Sequence, residues 1–283
     1  MDPTTALTMA IENSTKVAGN ALFSTVIDKM LGFKISEWAA QGDVIKKQII
    51  AGYEEAKQKG MGVQYVDAFR QNTNLISVAT KAAEYIDPTK QNEISFDNDV
   101  FWGLLGHAKE ISNDDMQALI ARIIAGEYNA PGTYSMSTLQ TIKMLGKVEI
   151  ELFQRMCSLL INEDHIPKEL FLIEDDAKVL MNGLSIDFGS LQTLQSLGLF
   201  LPNDMSITTP NPEKKQLRVM YFDRPILFVA ENDNFQNAKI PPFYSLSEVG
   251  KQILIHIQPK FNEEYYLWLR SHYKIPNYKL RED

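Results

Sequence analysis

The residues of this 283-residue chain best suited to metal ligation or nucleophilic chemistry are four histidines and one cysteine. His107, His165, His256 and His272 fall at no H-E-x-x-H spacing, and Cys157 has no second cysteine with which to build a zinc site. Cys157 lies in the apolar run Phe153-Gln-Arg-Met-Cys-Ser-Leu-Leu-Ile161, which marks it as a small buried hydrophobe and not an activated thiolate. The chain has no G-x-x-x-x-G-K-[S/T] phosphate loop and no G-x-S-x-G nucleophile elbow. Carboxylates occur side by side at Asp114/Asp115, Glu174-Asp-Asp176 and Glu263/Glu264. Acid–base work needs two carboxyl groups in environments that split their pKa values. Adjacent residues on a helix point in different directions, and these runs flank expected helix ends, where they serve as caps and solvated faces. The expectation is a non-enzymatic protein with no catalytic residue, cofactor or metal.

Charge and composition bound the remaining classes. Hydrophobic residues make up 45% and charged residues 23%, the balance of a globular chain, and the net charge is −8. That charge opposes whole-molecule attraction to nucleic acid or anionic lipid. A single cysteine rules out an intrachain disulfide and suits a reducing compartment. The N-terminus has no basic-then-apolar leader pattern, and no run reaches the roughly 18 apolar residues of a membrane span. The expected location is the cytoplasm, at most peripheral to the inner membrane.

The elements that would position these residues are mainly helical. Residues 4–34 read as an amphipathic helix: Leu22, Val26 and Met30 step by four, and Phe23, Ile27 and Leu31 form the adjacent row. These six residues are the candidate self-association or membrane face. Residues 35–60 continue as a more polar helix, Gly60 and Gly62 break it, and residues 63–86 form a third that Asp87-Pro88 ends. Residues 87–96 are a polar linker.

The centre of the chain carries the clearest periodicity. Asp97 to Ile111 reads as helix. Ser112 or Asn113 caps the next, where Met116, Leu119, Ile120, Ile123 and Ile124 form an apolar face. Asn129-Ala-Pro-Gly132 turns the chain, Ser135 or Ser137 caps a further helix bearing Leu139, Ile142 and Leu145, and Val148 to Ile161 is another. The C-terminal part mixes a short strand at Leu170–Ile173, a helix from Ile186 to Leu197, and a hairpin of Gln216–Phe222 with Ile226–Ala230. Helices opening at Ser245 and running from Asn262 to Tyr273 follow.

The predicted fold is therefore mainly α. Long amphipathic N-terminal helices occupy 1–90, a central helical core 91–163, and a winged-helix-like α+β domain 164–283. The helix in the recognition position of that last domain has no Lys or Arg. Lys214, Lys215, Arg218 and Arg224, at the hairpin, are the only candidates for nucleic-acid contact. A protein-interaction role for the tail fits this better than DNA reading.

The central segment resembles an uncharacterised bacterial domain family. The residues are Ile111-Ser-Asn-Asp-Asp-Met-Gln-Ala-Leu119, Ile120-Ala-Arg-Ile-Ile-Ala-Gly-Glu127 and Pro131-Gly-Thr-Tyr-Ser-Met-Ser-Thr-Leu139. The family hallmark runs I-x-D-E-E-L-Q-x-L-W-A-K-I-L-A-G-E … P-G-S-F-S-L-R-T-L-E-I-L. The motif positions here are Leu119, Arg122, Ile123, Gly126, Glu127, Pro131, Ser135 and Leu139. Ile120 replaces the family's tryptophan, which favours a packing role there. Glu127 and Arg122 are the motif charges, read as a structural ion pair. The chain is also similar, more loosely, to abortive-infection proteins of the alpha type, which join such a core to a glycine-bearing amphipathic N-terminal segment like Val17-Ala-Gly-Asn-Ala-Leu-Phe23.

That resemblance implies an anti-phage defence component acting through protein contacts or self-assembly. Its partner would be a second copy, a phage protein or a co-encoded defence protein. The alternatives are a membrane-acting effector using the N-terminal helix, or a winged-helix DNA-binding regulator.

Overall fold

The computed structural model describes residues 21–31, 42–87, 89, 98–163, 166–170, 183–202, 208–210, 216–231, 237–239 and 243–281. The chain forms two compact units, Met1–Lys143 and Met144–Asp283. The third N-terminal helix packs on the central helices within the first unit.

The described helices of the first unit are α1 (Ala21–Leu31), α2 (Gly42–Gln58), α3 (Gly62–Ala83), α4 (Asp99–Ala108), α5 (Asp114–Asn129) and α6 (Met136–Met144). Helix α5 is its axis. Asn113 caps α5 through Met116 N–H (3.1 Å), and Met116, Leu119, Ile120, Ile123 and Ile124 are all buried as their spacing predicts. Leu75, Ile76, Val78, Ala79 and Ala82 on α3 pack into this face, with Phe101, Leu104 and Leu105 on α4 beside them.

Phe23 and Ile27 are wholly buried, and Phe23 meets the ring of Tyr128 edge-on at 5.4 Å between centroids. Two of the six residues of the N-terminal stripe are thus packed inside the unit's own core. Val26 is half-buried, and the side chains of Leu22, Met30 and Leu31 lie outside the described residues. No helix among the described residues is long and apolar enough to cross a membrane.

The second unit comprises helices α7 (Lys147–Cys157), α8 (Phe188–Ser196), α9 (Glu248–Leu254) and α10 (Glu263–His272) with eight short strands. These strands are β1 (Leu160–Glu163), β2 (Ile166–Leu170), β3 (Thr208–Pro210), β4 (Gln216–Tyr221), β5 (Arg224–Ala230), β6 (Asn237–Lys239), β7 (Tyr244–Ser245) and β8 (Tyr278–Leu280). Six form an antiparallel sheet in the order β7-β2-β1-β4-β5-β8, and β3 pairs with β6 separately.

Alternation on β4 places Leu217, Val219 and Tyr221 in the core and Gln216 and Arg218 on the exposed face. The β4–β5 hairpin lies at the centre of this sheet, flanked by β1 and β8, and is not a free ribbon. Pro225 pairs with Met220 beside the hairpin turn, where its missing N–H is tolerated.

Several boundaries differ from expectation for local reasons. Helix α7 ends at Cys157, and Leu160 and Ile161, expected as the last residues of that helix, instead open β1, which pairs with β2 and β4. Ser245 is a strand residue. Ser247 is the N-cap, accepting from Gly250 N–H at 2.9 Å. Asn262 caps α10 through Tyr265 N–H at 3.0 Å, as its position before Glu263 predicts.

Candidate functional site

The family motif forms a closed structural cradle around Glu127. Its side chain is fully buried at the C-terminal end of α5. Oε1 accepts from Asn98 Nδ2 (2.9 Å) and Gly132 N–H (2.7 Å), and Oε2 accepts from Tyr134 N–H (3.1 Å). Asn98 is itself the N-cap of α4, accepting from Phe101 N–H at 2.9 Å. One carboxylate thus ties the start of α4, the end of α5 and the Pro131–Tyr134 turn. Three donors aimed at a carboxylate offset much of its desolvation cost. The ion pair expected of Glu127 is replaced by amide donors.

The neighbouring motif residues serve the same construction. Leu119, Ile123 and Leu139 are buried, Arg122 is half-buried, and Pro131 lies on the exposed turn. Ser135 Oγ accepts from Thr138 N–H (3.1 Å) and opens α6. A methyl group on Gly126 would stand 2.5 Å from Tyr134 Oη, so the motif glycine lets that ring lie against α5. Asn129 anchors the exit of α3, donating to Tyr85 O and accepting from Asp87 N–H, both at 2.9 Å.

A second polar group in this unit escaped the sequence reading. Gln117 is buried on α5, where Oε1 accepts from Ser77 Oγ (2.7 Å) and Lys81 Nζ (2.9 Å), and Nε2 donates to Ile111 O (2.8 Å). Lys81 also pairs with Asp114 at 2.8 Å. The available signal was a glutamine inside an otherwise apolar helix face. Like Glu127, it locks elements together.

The chemistry-bearing residues do not converge. Cys157 is buried, as its apolar run implies. Burial and the charge of Lys143 hold His107 below the ordinary histidine pKa. His272 stacks on Trp268 with centroids 5.2 Å apart and shares a hydrogen bond with Ser271 Oγ (2.7 Å). Among the described residues no three His, Cys, Asp or Glu side chains could hold a metal ion. His165 and the Glu174–Asp176 run lie outside the described residues, as do Lys214 and Lys215. Of the other hairpin cations, Arg218 is on the exposed face of β4. Arg224 is held by Glu263 (3.1 Å) and lies over the rings of Phe261 and Tyr266, at 4.4 and 5.2 Å from their centroids.

Two clefts are defined by described residues of the second unit. One, of about 310 Å³, is largely apolar and is lined by Met220, Phe222, Leu254 and Ile257 among others. The other, of about 300 Å³, is bounded by α7 on one wall and the Lys260–Asn262 segment on the opposite one. The buried Tyr221 hydroxyl joins those walls: it donates to Ser158 O (2.7 Å) and accepts from Asn262 N–H (3.0 Å).

Burial, with the charge of Glu127 added, pushes the Tyr134 phenol up to about 12; burial does the same to Tyr221. Both phenols start from an ordinary value of 10.0. The folded chain then holds protons that the unfolded chain releases, so stability is intact below pH 10 and falls as pH rises toward 12. The expected loss is about 1.4 kcal/mol per pH unit for each tyrosine. Hydrogen exchange read separately on the two units across this range checks it; a flat profile through the tyrosinate transition contradicts it.

The fold and the Glu127 cradle together define a helical scaffold domain joined to an α+β unit. The chain belongs to the family described as protein of unknown function (DUF2806), whose model matches residues 63–270. That span runs from the start of α3 into α10 and includes every motif residue named above. No curated protein and no solved structure matches the chain.

Proposed function

We propose that this chain is a non-enzymatic component of bacterial phage defence, of the abortive-infection type, that works by self-association through the α2–α3 hairpin. The observation that carries the self-association is the apolar surface of that hairpin. From Asn74 onward α3 is embedded against α5, whereas its first two turns are exposed. There Met61 is 54%, Val63 81% and Val66 39% exposed, and on α2 Val44 and Ile50 are also exposed. A two-helix hairpin with an apolar outer face is completed by a second copy, giving a four-helix arrangement. The defence role rests on the sequence likeness of the motif and of the N-terminal segment.

The membrane alternative is weakened by the burial of Phe23 and Ile27. A winged-helix reading of the second unit draws support from the succession of α8, the Phe200–Leu246 bridge, the β3–β6 ladder and α9. Helix α8 has no cation to offer a phosphate backbone, so this part is read as a protein-binding element.

Expression in a susceptible host should lower phage plating, and the paired substitution Val63→Lys with Val66→Lys should restore it. Both positions are exposed, so the variant keeps its fold. Unchanged plating across a broad phage panel would overturn the defence reading.

A further inference from the structure

We propose that the cleft between α7 and the Lys260–Asn262 segment binds a small phosphomonoester on a hydroxyl-bearing carrier, a sugar phosphate or a mononucleotide. Glu151, Gln154, Arg155 and Ser158 share one face of α7 by their i, i+3, i+4, i+7 spacing, and all four line the cleft. Arg155 Nε is buried without a hydrogen-bond partner. Among the described residues no carboxylate pairs with Arg155 or with Lys260, which faces it from the opposite wall.

Neither cation is neutralised by a carboxylate among the described residues, and an oxyanion bound in the cleft would supply that counter-charge. Two cations suit the double negative charge of a phosphomonoester.

The walls are held in place before any ligand arrives. The Tyr221 hydroxyl bridges them, Gln154 Nε2 donates across to Gln258 O (2.7 Å), and the Arg224 guanidinium fixes the ring of Phe261. The volume, about 300 Å³, sits at the small end of ligand sites. Leu184 and Phe261 provide apolar contact for a carrier. Glu151, half-exposed at the rim and 3.7 Å from Lys147, is an acceptor for carrier hydroxyls and repels longer polyanions.

The test is calorimetric titration of the full chain with AMP, ribose 5-phosphate, ribose and inorganic phosphate. Saturable binding of AMP or ribose 5-phosphate, with none for ribose, is expected. Equal affinity for the two identifies a sugar-phosphate ligand, and tighter AMP a nucleotide. Lys260→Gln, at an exposed position that tolerates change, should weaken binding about tenfold, and Arg155→Gln at least as much. Two results overturn the site: no saturable binding by either phosphomonoester, or affinities unmoved in Lys260→Gln. Inorganic phosphate binding as tightly as both would overturn the assignment of a hydroxyl-bearing carrier.

Discussion

Replacing Glu127 with alanine is expected to destabilise the helical unit by about 4 kcal/mol, the largest effect of any single substitution considered for it. The change strands the buried Tyr134 N–H, the part-buried Gly132 N–H and one amide of the Asn98 cap. Each orphaned donor costs about 1–3 kcal/mol, less whatever entering water recovers. Glu127→Gln keeps one acceptor oxygen but turns an NH₂ group toward a donor, so its expected cost is smaller, about 2 kcal/mol. Hydrogen exchange of the α5 amides reads this unit alone and avoids a two-state assumption across two units. Protection reduced by less than about tenfold in Glu127→Ala, equivalent to roughly 1.4 kcal/mol, would show that the cradle does not organise the turn.

Gly250→Ala is expected to cost the second unit about 3 kcal/mol. The added methyl would collide with the carbonyl oxygen of Leu199 and also stand 3.1 Å from its carbon, so backbone and not a flexible side-chain tip must yield. The same region is tied by Ser247 N–H to Leu199 O (3.0 Å) and by Leu201 N–H to Ser245 O (2.9 Å). Moving α9 outward to relieve the clash would strain these bonds. Exchange of the α9 amides measures the outcome, and wild-type protection in the variant would contradict the close approach.

How much of this was legible depended on whether the signal was local. The α5 stripe needed only a periodicity of 3.6, and all five of its apolar residues are buried. The cap of α5 was legible to within one residue, Ser112 or Asn113, because a polar side chain before an apolar-periodic run can bond an N–H three residues on, as Asn113 does. Strand β1 was not: Leu159-Leu160-Ile161 is an apolar run that suits helix or strand equally, and pairing of Leu160 and Ile161 with Leu170 and Glu169 decides it. The hairpin at 216–230 was legible, but its place in mid-sheet was not, since that depends on β1 and β8 from opposite ends of the unit.

The role of Glu127 was hidden for a related reason. A carboxylate next to an arginine-bearing helix suggests an ion pair, and backbone donors leave no mark in a residue code. The α7 cleft is still less visible, because Arg155 and Lys260 are brought together by Tyr221, a core tyrosine with nothing in its sequence neighbourhood to mark it. The N-terminal stripe was legible as an amphipathic face, but which of its residues pack within the chain was not: Phe23 and Ile27 are buried in the unit's own core.

These assignments lead to one picture. The motif residues build a scaffold, and the surface proposed for self-association is the apolar outer side of the α2–α3 hairpin. The most direct measurement is light scattering on the purified full-length chain. An assembly of at least two 32.1 kDa chains is predicted, reduced to a folded monomer by Val63→Lys with Val66→Lys. A wild-type chain that stays monomeric at high concentration would contradict it.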